Sequence, residues 1–157
     1  MTDRVRILVV DDNDMILESL VNILENEGYL TSIAKTGKEA IEITEKEFFN
    51  VILIDVNLPD MTGFDLISQL NETTPIIKKL IITGFPDTHI FKDDDYKKAD
   101  AFLVKPFDPE LLLDFIDQNI RQQEKELKYT KKKIIEHIKT RVRDLEAKNH
   151  IQGSFSC

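Results

Sequence analysis

The chain has 157 residues, is 41% apolar and 32% charged, and carries a formal net charge of −8. That is the length of a single domain with enough apolar material for a packed core, and its acidity argues against nucleic acid, whose phosphates would repel it. The only cysteine, Cys157, excludes a disulfide framework, and no apolar stretch approaches the roughly 18 residues that span a bilayer.

The N-terminal sequence MTDRVRILVVDD has no cleavage pattern of a leader, so a soluble cytoplasmic protein is expected. The first apolar run, at 5–10, reads as a strand, and runs at 30–34, 51–54, 80–83 and 101–104 repeat it. Near-continuous Val/Ile runs suit strands buried on both faces of a parallel sheet. Helical spacing lies between them. Residues 15–27 carry Ile16, Leu17, Leu20, Ile23 and Leu24 at helical spacing, and Gly28 follows as a stop. Residues 38–47 offer Ala40, Ile41 and Ile43, and residues 64–70 offer Leu66, Ile67 and Leu70. Residues 89–98 make a weaker helix, interrupted by Asp93, Asp94 and Asp95. Asp108 caps a last helix, with Pro109 in its first turn. Alternating strands and helices predict an α/β protein: a flavodoxin-like, doubly wound sheet of five parallel strands in the order 2-1-3-4-5, with five helices and an extended last helix.

The helical pattern continues well past residue 120, with no Pro or Gly before Gly153. Leu113, Ile120, Leu127 and Ile134 recur every seven residues, and Ile138 and Leu145 form another seven-spaced row. Gln123, Thr130 and His137 leave the alternate seam position polar, which makes a weak coiled coil at best. Residues 121–150 hold ten Lys/Arg against five Asp/Glu, a charge of +5 that leaves −13 on the rest. The expected division is a domain at 1–120, a helical extension at 121–150 and a flexible tail at 151–157. The extension reads either as a solvated continuation of the last helix, or as a homodimer stalk or linker to an output domain. Lys131, Lys132 and Lys133 come with neither aromatic interleaving nor a recognition motif for nucleic acid, nor is a membrane surface supported.

In doubly wound sheets, ligands bind at the carboxyl ends of the strands. Here ILVV runs into Asp11 and Asp12, VILI into Asp55, LII into Thr83 and AFLV into Lys105 and Pro106. Three carboxylates, a hydroxyl and an ammonium would share one edge. Carboxylates that close repel, so some protonate or a cation joins them. Hard oxygen donors in an open site favour Mg²⁺, which accepts a phosphate oxygen. Asp55, between metal and Lys105, is then placed to attack a phosphoryl donor and form an aspartyl phosphate. Thr83 is placed to donate its hydroxyl to the product phosphate.

The pair DD, the segment DVNLPDMTG, the Thr after the fourth strand and the closing KPF, in this order over residues 4–120, resemble the receiver domains of response regulators. The resemblance implies a two-component phosphorelay switch. Asp55 is the phosphoacceptor, fed by a sensor histidine kinase or a histidine phosphotransfer protein. Mg²⁺ is bound directly by Asp12 and Asp55, mainly through water by Asp11, and by the backbone carbonyl of Asn57. Thr83 and Lys105 contact the phosphoryl group, the Lys105–Pro106 bond is cis, and Phe102 is the aromatic that rotates inward with Thr83. Asn57 and Phe85 tune dephosphorylation, and a bulky Phe85 implies slow self-hydrolysis. The only chemistry implied is self-phosphorylation and self-dephosphorylation, and the output is a downstream protein or domain, with no DNA-binding domain within this chain.

Each piece has a plainer reading. Asp11 to Asp14 suits helix capping, Thr83 before Gly84 a turn hydroxyl, and Phe102 simple core. KTGKEA lacks the rest of a phosphate-binding loop, residues 11–16 lack the glycine of a calcium loop, and His89, His137 and His150 have no metal-ligand spacing. Two whole-chain alternatives stay open. One is a pseudo-receiver that acts only by contact. The other is a phosphohydrolase of the haloacid-dehalogenase type, with Asp12 as nucleophile and Asp14 as general acid; it leaves Asp55 idle and lacks an acidic pair after Lys105.

Overall fold

The computed structural model describes residues 4–73, 75–84 and 94–154. Its order is β1 (Arg6–Val10), α1 (Asp14–Asn26), β2 (Leu30–Ala34), α2 (Gly37–Lys46), β3 (Val51–Asp55), α3 (Gly63–Gln69), β4 (Lys78–Thr83), a 3-10 turn (Asp95–Lys97), β5 (Ala101–Val104) and α4 (Pro109–Ser154). The five strands form one parallel sheet in the order β2-β1-β3-β4-β5, as predicted.

Side chains along a strand alternate between the two faces of the sheet, and both faces here are apolar. Ile7, Val9, Val51, Leu53, Leu80 and Ile82 face one way and pack with Leu17, Leu20 and Leu24 of α1 and Leu112, Ile116 and Ile120 of α4. Leu8, Val10, Ile52, Ile54 and Ile81 face the other way and meet Ala40 of α2 and Phe64, Leu66 and Ile67 of α3. Burial on both faces explains why the strands read as continuous apolar runs.

Local chemistry sets the ends of the helices. Asn13 caps α1, its side chain accepting from the N–H groups of Met15 and Ile16 at 3.0 and 3.2 Å. Gly28 ends the turn after α1 with a φ of 90°, which an L side chain rarely adopts. Thr62 and Asp65 form a reciprocal capping box on α3. Asp108 accepts from the N–H of Glu110 at 3.0 Å at the start of α4.

Three expectations need correction. β4 begins at Lys78, two residues before the predicted run, because Lys78 and Lys79 break the apolar pattern although Lys78 is only 5% exposed. Five helices were expected, but among the described residues there are four α-helices. The described part of the weak helix at 89–98 holds only the 3-10 turn Asp95–Lys97, and residues 89–93 lie outside the described residues. The seven-spaced row on the last helix is not one seam, since Leu113 and Ile120 pack into the core.

The chain divides into two compact units, Met1–Gln123 and Glu124–Cys157. Gln123 closes the first. It is 2% exposed, donates to the carbonyls of Asn50 and Ile76 at 2.9 and 2.7 Å, and accepts from the Asn50 amide at 3.0 Å. Its polarity therefore serves the base of the sheet rather than a coiled-coil seam. In the second unit, every described side chain from Lys128 to Asn149 is exposed. No helix among the described residues is long and apolar enough to cross a membrane.

Candidate functional site

β1 and β3 are neighbours in the sheet, with Val10 opposite Ile54, so the residues that follow each strand emerge side by side. Asp11, Asp12 and Asp55 each place a carboxylate oxygen within 4.8 Å of the others. Asp11 is 3% exposed and Asp55 partly buried, while Asp12 faces solvent. Backbone bonds hold the strand ends. The N–H of Asp11 donates to Ala34 at 3.1 Å, and that of Gly63 donates to the Val56 carbonyl at 2.8 Å. Gly63 is needed for this approach, because a Cβ there would sit 2.7 Å from the backbone oxygen of Asp55.

Lys105 reaches the same crevice from the end of β5. Its Nζ donates to Asp11 Oδ2 at 3.1 Å and lies 3.9 Å from Asp55 Oδ2. The Lys105–Pro106 bond is cis, as expected. Lys105 N–H donates to the carbonyl of Thr83 at 2.7 Å, which joins the ends of β4 and β5. Thr83 is 3% exposed, one residue past Ile82, the partner of Asp55 across the sheet. Asn57 is exposed, and its N–H approaches Asp55 Oδ1 at 3.4 Å.

Burial pushes the Asp55 carboxyl above the usual carboxylate range, Lys105 draws it back, and Asp11 raises it again. Three carboxylates against one ammonium leave the crevice short of positive charge. Oxygen donors at this spacing fit a hard divalent cation that keeps part of its water shell.

Phe102 is half-buried on β5, packed against the core face that holds Phe64, with the two ring centroids 6.1 Å apart. Phe85 lies outside the described residues. Asp14 takes no part in the carboxylate group; it is paired with exposed Lys35 at 2.6 Å on the first turn of α1.

Sequence reading missed Asp60. Its two oxygens accept from the N–H groups of Gly37 and Lys38, both at 2.9 Å, so the loop after Asp55 caps α2. The N–H groups of Lys38 and Gly37 hold the Asp60 carboxyl below its ordinary value. No local pattern predicts a cap that comes from 23 residues away.

A family model described as the response regulator receiver domain matches residues 7–117. The chain belongs to the response regulator receiver domain family. Over 120 residues this receiver is 36% identical to the response regulator ArlR of Staphylococcus saprophyticus, a match covering 75% of this chain and 53% of the relative. Among solved structures it resembles a CheY-like receiver domain protein of Methanospirillum hungatei, at 40% identity and a TM-score of 0.73, covering 79% of this chain and 99% of that one. It also resembles the response regulator TrrA of Thermotoga maritima in complex with Mg²⁺–BeF, at 27% identity and a TM-score of 0.66, covering 73% and 98%. The chain spans about half the length of ArlR, and 28% of a cyclic di-GMP phosphodiesterase of Thermotoga maritima that is 32% identical over 106 residues. Receiver domains are phosphoacceptor switches of two-component systems and bind Mg²⁺ at an acidic pocket, and this receiver has the carboxylate cluster. That membership removes the phosphohydrolase alternative.

Proposed function

We propose that this receiver accepts a phosphoryl group on Asp55 from a sensor histidine kinase or a histidine phosphotransfer protein, and so controls the binding of a downstream protein or output domain. The observation that carries the reading is the convergence of Asp11, Asp12 and Asp55 within 4.8 Å, with the Lys105 ammonium 3.1 Å from the first and 3.9 Å from the last. Asp55 is the nucleophile: its oxygen forms the new bond to phosphorus as the bond to the donor breaks. Lys105 lies close enough to exchange its bond with Asp11 for one with a phosphoryl oxygen, and the Thr83 hydroxyl completes the cradle. Asp11, Asp12, Asp55 and the Asn57 carbonyl would hold Mg²⁺, which supplies charge neutralisation of the transferring oxygens.

Engagement of Thr83 by the phosphate draws β4 inward and frees space for Phe102, which turns chemistry into a change of surface. Asn57 and Phe85 set the lifetime of the phosphate, and Phe85→Glu is expected to shorten it by admitting attacking water. Residues 1–120 form the switch and residues 121–150 a helical extension, and the helix runs on to Ser154, into the stretch expected as a tail at 151–157. The phosphodiesterase activity named for one relative is not assigned here. The chain works in the cytoplasm, where the kinase partner supplies phosphate.

The test is intact mass after incubation with a small phosphodonor, with and without Mg²⁺, for wild type, Asp55→Asn and Asp12→Asn. A Mg²⁺-dependent gain of one phosphoryl group, lost in Asp55→Asn, is expected. No gain under any condition would make the chain a contact-only pseudo-receiver. A gain that survives Asp55→Asn would move the acceptor elsewhere.

A further inference from the structure

The second unit carries an apolar stripe that the receiver fold leaves unused. Ile134, Ile135, Ile138, Val142 and Leu145 are all about half exposed, at 53, 51, 54, 46 and 50%. On a helix, 135, 138, 142 and 145 lie alternately three and four residues apart and fall on one side, with Ile134 on its flank. This frame places Ile135 and Val142 at position a, Ile138 and Leu145 at d, and Asn149 at the next a. The alternative frame, which keeps Ile134 in the seam, puts Arg141 between the apolar positions.

We propose that this face binds a second copy of the chain in a parallel, in-register, two-stranded coiled coil. Three features select that occupant. β-branched residues at a with leucine at d favour two strands, and here a holds Ile135 and Val142, with Leu145 at one d position and Ile138 at the other. Asn149 at a meets its own counterpart only when the two copies run parallel and in register. Charge agrees: Arg141 at g faces Glu146 at e of the second copy in a parallel pair. The antiparallel pair that also fills the seam sets Ile135 against Leu145 and Ile138 against Val142. It then brings Lys139 against Lys139 and Arg141 against Arg141, which repel and offset the two Lys132–Glu146 pairs of that arrangement, whereas the parallel pair gains its Arg141–Glu146 contacts with no like-charge pair opposed.

Five such side chains from each copy cover on the order of 1,000 Å², the lower bound for a specific interface. Lys128 and Lys131 at the leading seam positions weaken the pair at that end, so the dimer is reversible. None of this depends on the phosphoryl chemistry of Asp55.

The test uses the full chain carrying Cys157→Ser. In sedimentation equilibrium the mass rises from one chain toward two between about 10 µM and 1 mM. Ile138→Lys, on the exposed face, holds it at one chain without changing the urea midpoint of the receiver. Single cysteines then read the direction. On oxidation, Ile135→Cys and Leu145→Cys each link to themselves, while Thr140→Cys, on the outer face, does not. Preferential linking of Ile135→Cys to Leu145→Cys in a mixture overturns the parallel arrangement. A single-chain mass at every concentration overturns the dimer; if the helix then binds phosphatidylglycerol vesicles, the stripe faces an anionic membrane instead.

Discussion

Asp55→Asn should make the metal-free protein more stable at neutral pH. The replacement keeps the shape of the side chain and removes one charge from a crowded crevice. At an effective dielectric near 20, two like charges at the 4.8 Å limit of this cluster repel by roughly 3 kcal/mol. Asp55 faces two such carboxylates, and one ammonium at 3.9 Å offsets about one of them. Water around exposed Asp12 screens what remains, which leaves roughly 1–2 kcal/mol. Lys105 is not orphaned, because Asp11 holds it at 3.1 Å. Urea unfolding at pH 7 in EDTA should show the gain, as should a rise in Tm of about 3–8 °C. The pH dependence follows from the raised pKa of Asp55 in the folded state. A raised carboxyl pKa means the folded chain binds the proton more tightly, so the cost of Asp55 is absent below the unfolded value near 3.9. The cost grows as pH rises from the unfolded value through the raised one. The advantage of Asp55→Asn should therefore shrink as pH falls toward about 4. Mg²⁺ should narrow it as well, by stabilising the wild type in proportion to site occupancy. A mutant less stable than wild type at pH 7 in EDTA, or a gain that does not change with pH, would refute the reasoning.

Lys105→Met leaves three carboxylates with no cation, and should cost about 2–3 kcal/mol in EDTA and much less in excess Mg²⁺, measured by urea unfolding. Gln123→Leu strips partners from the Asn50 amide and the Ile76 carbonyl at the base of the sheet, and should cost about 2–3 kcal/mol by the same measurement. Gly63→Ala drives a Cβ against the backbone oxygen of Asp55, so a loss of about 1–3 kcal/mol should accompany slower phosphorylation in the mass assay. Asp60→Ala removes the cap from the first turn of α2 and should cost about 1 kcal/mol at pH 7. Because the folded-state pKa of Asp60 is lowered, that contribution is present above the unfolded value and fades as pH falls through the folded one; a pH series of urea midpoints checks it.

The parts of this fold that sequence reading captures are those in which one residue reports its own environment. Leu8 and Ile7 face opposite sides of the sheet, yet both are buried, so β1 reads as an unbroken run and points to a covered parallel sheet. Asn13 and Gly28 bracket α1 because capping and a positive φ are local requirements. The candidate site was legible for a related reason: Asp11 with Asp12 and Lys105 come straight after apolar strands, Asp55 ends one, and strand order brings these ends together. What stayed hidden depends on partners distant in sequence. Lys78 looks like a loop residue, yet it is 5% exposed, with a carboxylate oxygen of Asp100 4.0 Å from its ammonium. Gln123 looks like a flawed seam position until Asn50 and Ile76 are seen to need its amide.

The same distinction explains the two roles of α4. A row of residues seven apart is consistent with a seam and equally with a face packed on a sheet, because a helix presents both at nearly the same period. Burial separates them. Leu112, Ile116 and Ile120 belong to the sheet, and Gln123 ends that contact with hydrogen bonds that fix its register. Past that point the apolar residues Ile134, Ile135, Ile138, Val142 and Leu145 are about half exposed. The exposure of that apolar stripe, rather than the length of the helix, is the reason to look for a second copy.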